Sequence, residues 1–188
     1  MSTDPAGSRQ RGVTLIELIV FIVIVGIAIG GVLSILTQAV RTSADPMVQK
    51  QALAIAEALL EEIELQPFTF CDPDDANAST ATGTGGCATT VETAAQHTAD
   101  GESRYSAANP FDNVIDYGGF AMSAGILDIT GTALSGLGSY TATVAVANDA
   151  SLGAIANSEV LRITVTVTGP GNTSVVLDGY RTRFAPRT

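Results

Sequence analysis

Residues 13–36 read VTLIELIVFIVIVGIAIGGVLSIL, and this stretch decides the architecture. Its 24 residues hold one charge, Glu17. As a helix it would extend roughly 36 Å, enough to cross a hydrocarbon core of about 30 Å. A helix on a soluble core carries a polar stripe, and this one has none. A membrane-spanning helix over 13–36 is the expectation. A cleaved secretory signal is the alternative, but the apolar run exceeds the usual signal core and no Ala-x-Ala site follows it. Arg9 and Arg11 precede the span, and Arg41 is the single cation just beyond it. The positive-inside rule then keeps the N-terminus cytoplasmic and sends the rest of the chain outside.

Glu17 is the anomaly. An acid at the centre of a span costs about 2.5–3.5 kcal/mol, and less near the interface. It can sit solvated among headgroups, become neutral through burial, or pair with a cation. No Lys, Arg or His occurs between Val13 and Ser34, so pairing requires another molecule. Gly26 and Gly30 have the small-xxx-small spacing that permits close helix approach, a pattern also common by chance.

Beyond the span, Pro46 predicts a kink or break near Ala44–Pro46, or a new helix with Asp45 as its cap. Val48, Ala52, Ile55, Ala56, Leu59, Leu60 and Ile63 recur at spacings of three and four. They predict one apolar face on a helix that ends before Pro67. Residues 71–104, rich in Thr, Ala, Gly and Asp, read as a loop. Cys71 and Cys87 allow one intramolecular pairing, and a structural disulfide there would contribute about 3 kcal/mol by chain entropy. A reactive thiol pair would favour the shorter Cys-x-x-Cys spacing. Asp72, Asp74, Asp75 and Asn77 offer oxygen ligands, but Thr80 stands where a calcium loop needs Gly, and Gly86 where it needs Glu. These acids read as solvated turn residues, and no metal site is assigned.

Alternation marks the C-terminal half. In VLRITVTVT (160–168), Leu161, Ile163, Val165 and Val167 share one face. YTATVAVA (140–147) alternates partially, and SVVLDGYRTRF (174–184) comes after the turn Gly169-Pro170-Gly171-Asn172. The expectation is an antiparallel sheet within 139–184 packed on the second helical segment, an α+β class.

Composition excludes several functions. Nine basic against 19 acidic residues give a net charge of −10, which argues against nucleic acid as a partner. One His and two Cys cannot build a four-ligand zinc site. His97 has no nucleophile pattern near it, and no dinucleotide fingerprint is present. No catalytic residue and no cofactor are expected.

The segment RGVTLIELIVFIVIVG resembles the N-terminus of type IV prepilins and type II secretion pseudopilins. Their pattern is a short basic leader ending in Gly, then Glu at the fifth mature position of a long apolar helix. The resemblance implies a leader over 1–12, cleavage between Gly12 and Val13 by a prepilin peptidase, N-methylation of Val13, and a role for Glu17 in subunit assembly. Val13 departs from the family's usual Phe or Met. Residues 43–78 resemble the D-type minor pilin of the mannose-sensitive haemagglutinin (MSHA) pilus system. The implied organisation is a leader 1–12, a span 13–36, a helical continuation 37–66 and an extracytoplasmic pilin-like head 67–188. The implied partners are the prepilin peptidase, other pilin subunits, the inner-membrane assembly platform and the membrane itself. The classes that compete with a minor pilin are a secretion pseudopilin and a singly anchored periplasmic binding module.

Overall fold

A computed structural model describes residues 12–94 and 101–183, with backbone alone at 39–45. Residues 1–11, which fall in the expected leader, His97 and Phe184 lie outside the described residues. Two compact units divide between Ala44 and Asp45. Helix α1 runs Leu15–Glu64 and contains Pro46. The break expected near Ala44–Pro46 is therefore no gap in the helix, although the division between units falls there. Proline deletes one backbone donor, and the helical path survives it. Gln66 N–H donates to Ile63 O at 3.1 Å, closing the last turn just before Pro67.

In the second unit, α1 buries Ala52, Ala56, Leu59 and Ile63, with Val48, Ile55 and Leu60 packed beside them. This is the stripe that the three-and-four spacing marks. Against it lies a four-stranded antiparallel sheet in the order β1 (Ala121–Met122), β2 (Thr141–Asn148), β3 (Val160–Gly169), β4 (Thr173–Thr182). The fold is α+β. On β3, Leu161, Ile163, Val165 and Val167 are fully buried, while Arg162 and Thr168 are exposed. Val165 pairs with Val144 on one side and Leu177 on the other. The β3–β4 turn places Gly171 and Asn172 at φ of 67° and 61°, the left-handed region that Gly and Asn tolerate. Gly179 lets the sheet approach the helix, since a Cβ there would meet Leu60 Cδ1 at 2.8 Å.

Periodicity does not announce two elements. Strand β1 has only two residues. Val114–Tyr117 forms a 3₁₀ turn with all four residues buried, capped by Asn113 and Asp116. Asp116 accepts from Asn113 N–H at 2.7 Å, and Asn113 Oδ1 accepts from Ile115 N–H at 3.2 Å. Phe111 and Tyr117 meet edge-on, with ring centroids 4.9 Å apart.

Candidate functional site at the helix start

Helix α1 begins one residue after Thr14. Thr14 O accepts from the N–H groups of Glu17 and Leu18 at 3.1 and 3.2 Å. Thr14 Oγ1 also accepts from Glu17 N–H, at 3.4 Å. Thr14 thus acts as the N-cap, with Glu17 at the third helical position. An acid in the first turn is favoured by the free N–H groups and the helix dipole. Gly12, Val13 and Glu17 are all exposed, so the residues of the inferred cleavage and assembly sites lie together at the helix start. The T-x-x-E signature was in the sequence, and it gives Glu17 a local role beside any role in pairing.

Within Leu15–Gln38 an 18-residue window reaches a mean hydropathy of 3.0, and none of that window is buried among the described residues. By length and composition it can cross a membrane. Nothing lies within 4 Å of where a side chain would begin at Gly26 or Gly30, so no contact described within the chain requires glycine there.

The head holds a second polar constellation that sequence reading missed. Arg104 and Glu62 form a two-pronged ion pair, with Nε–Oε1 and Nη2–Oε2 both at 2.7 Å. Arg104 Nη1 also donates to Asp128 O at 3.0 Å, and its guanidinium lies over the rings of Tyr105 and Phe120. Tyr117 Oη donates to Glu62 Oε1 at 2.8 Å. Burial would raise the Glu62 pKa, but the hydrogen bonds from Arg104 and Tyr117, together with the Arg104 charge, hold it below its ordinary 4.5. Burial first, then Glu62, pushes the Tyr117 phenol above its usual 10. This network clamps the loop after residue 101 onto α1. Beside it is an apolar groove of about 350 Å³ floored by Ile55, Leu59, Ile126 and Leu137.

Cys71 and Cys87 form a disulfide with their Cα atoms 5.4 Å apart. The acids around it are not simply solvated. Asp72 and Asp75 are buried, whereas Asp74 is exposed. Asp75 accepts from the backbone N–H groups of Ala88 and Asn77, then Thr89 and Thr90, and these hold its carboxyl well below the usual carboxylate range. Asp112 belongs to two clusters of acids. Its carboxylate lies within 4.8 Å of those of Asp72 and Asp74, and in a second grouping of those of Glu102 and Asp116. Clustered acids alone do not assign a metal.

A family model described as the prokaryotic N-terminal methylation motif matches residues 7–33. The match describes the N-terminal segment alone, a motif of the kind that type IV pilin-like prepilins carry. It ends within the apolar helix and does not reach the head. No curated protein and no solved structure matches the chain. Pilin-type proteins are structural subunits that interact with other pilin subunits and with the prepilin peptidase, and the apolar helix and motif are consistent with single-pass anchoring.

Proposed function

We propose that this chain is a minor pilin subunit of an MSHA-type pilus that takes part in pilus assembly. A prepilin peptidase cuts between Gly12 and Val13, and the new Val13 amine is methylated. The N-terminus faces the cytoplasm, the span lies in the inner membrane and the head lies in the periplasm. The observation that carries the reading is Glu17, the one charge in a 24-residue apolar run, held in the first turn five residues after Gly12. Cleavage would leave a free amine on Val13, at an exposed helix start. The carboxylate of one subunit would then meet the amine of its neighbour. Both groups lose hydration, so such a pair sets register more than it adds net stability. The open surface at Gly26 and Gly30 supports close helix approach in a bundle.

Without residues 1–12 the chain keeps 7 basic and 18 acidic residues, a net charge of −11, which favours a soluble head. N-terminal sequencing of the membrane-extracted protein tests the processing. Val13 as first residue supports it; an intact Met1 or a cut after the span overturns it. Gly12→Ala is expected to block the cut. Glu17→Gln is expected to leave membrane insertion intact and remove the protein from sheared filaments. Normal incorporation of Glu17→Gln would overturn an assembly role for its charge. A type II secretion pseudopilin would be processed identically, so recovery from pili rather than from a secretion apparatus separates the two.

A further inference from the structure

The loop closed by the Cys71–Cys87 disulfide is closed a second time by Asp75. Asp75 Oδ1 accepts from Asn77 N–H at 2.8 Å and Ala88 N–H at 3.0 Å. Its Oδ2 accepts from Thr89 N–H at 2.6 Å, Thr89 Oγ1 at 2.9 Å and Thr90 N–H at 3.1 Å. Four of these five donors belong to the three residues directly after Cys87. On the other side of Cys87, Asn77 Nδ2 donates to Gly86 O at 2.9 Å. Asp72 N–H donates to Thr90 O at 3.3 Å, and Glu92 N–H donates to Phe70 O at 3.0 Å. None of these bonds involves a sulfur atom, and those to the buried Asp75 carboxylate are charge-assisted.

We propose that Asp75 is a template for the disulfide: it holds residues 86–90 against residues 71–77 in the dithiol chain and so brings the two thiols within reach. The oxidant is a small disulfide such as glutathione disulfide. One cysteine thiolate attacks it, forming a mixed disulfide and releasing one glutathione thiolate. The second cysteine thiolate then attacks the cysteine sulfur of the mixed disulfide and releases the other glutathione. Two electrons and two protons leave the two cysteine thiols, and two glutathione thiols form. The template acts on the second, intramolecular step by raising the effective concentration of one thiol near the other. By linkage, the closed disulfide strengthens the Asp75 contacts by the same factor.

Titration of the full-length protein in detergent with glutathione redox buffers tests this. Asp75→Asn places a donor where donors already converge, and is expected to lower the equilibrium constant for ring closure by about tenfold. Thr89→Ala, which removes only the hydroxyl contact, is expected to lower it by a smaller factor. In a Cys71→Ser, Cys87→Ser double variant, the amides of Ala88, Thr89 and Thr90 are expected to stay protected from hydrogen exchange. Equal closure constants for the wild type and both Asp75→Asn and Thr89→Ala would overturn the proposal. So would loss of protection at 88–90 in the serine variant while the amide of Val165 stays protected, a result that does not depend on whether Asp75→Asn folds.

Discussion

Two stretches of helix α1 treat apolar residues in opposite ways. Leu15–Gln38 is far more hydropathic, yet the chain buries none of it. Within Met47–Glu64, five charged residues interrupt the apolar ones, yet Ala52, Ala56 and Ile63 are wholly buried and Leu59 nearly so. What decides burial is the pattern of the apolar residues, not their amount. A stripe can be covered by one sheet. An all-round apolar surface cannot be, and must find lipid or other helices. Stability of the second unit is therefore a property of the chain, whereas the environment of the first is supplied from outside.

The largest expected effect falls on the sheet. Ile163 is fully buried at the centre of β3. Ile163→Ala is expected to cost the head about 4 kcal/mol, from lost transfer energy and the cavity left behind. Thermal unfolding followed by near-UV circular dichroism would report it. The same variant should fractionate with membranes as the wild type does. If membrane association fell along with head stability, the two stretches would not be energetically separate.

Next in size is the clamp between α1 and the loop after residue 101. Glu62→Gln leaves Arg104 buried without its charge partner and is expected to cost about 2–3 kcal/mol. The Glu62 pKa is depressed in the folded head. Its stabilisation is therefore complete above the unfolded value near 4.5 and is lost as pH falls through the folded value. Unfolding midpoints measured from pH 7 to pH 3 should drop below about pH 4.5, and Glu62→Gln should flatten part of that drop. An unchanged acid slope in the variant would remove Glu62 from the account.

Physical range explains how much of this was legible in the sequence. The helix stripe from Val48 to Ile63 and the alternation from Leu161 to Val167 are local periodicities, and both are faithful to the structure. The Gly169–Asn172 turn is a local signal as well. Arg104 and Glu62, 42 positions apart, meet only because the loop folds back onto α1. Nothing periodic connects them. The buried turn Val114–Tyr117 gains its place through Asn113 and Asp116 rather than through a repeating face. Asp75 looks like any turn acid until the backbone of 88–90 arrives. The helix start was legible as the prepilin-like Gly12…Glu17 spacing, whereas the Thr14 cap emerges from the structure.

Smaller effects sharpen both stretches. Tyr117→Phe removes one donor from Glu62 and keeps the ring packing against Phe111. About 1 kcal/mol is expected, together with a Glu62 titration closer to its ordinary value. Chemical denaturation and carbon-detected titration of the Glu62 carboxyl would check these together.

The smallest expected effect separates the two roles that meet at Glu17. Thr14→Ala removes the hydroxyl that caps the helix and leaves the carboxylate in place. An exposed cap contributes about 0.5–1 kcal/mol, so the first turn should fray, with faster amide exchange at Glu17. Assembly through the charge of Glu17 predicts that Thr14→Ala still enters filaments while Glu17→Gln does not. Assembly through the shape of the helix start predicts the reverse, because Glu17→Gln keeps the backbone N–H that Thr14 caps. A filament assay on the two variants therefore decides whether assembly depends on the charge of the acid or on the capped turn in which it sits.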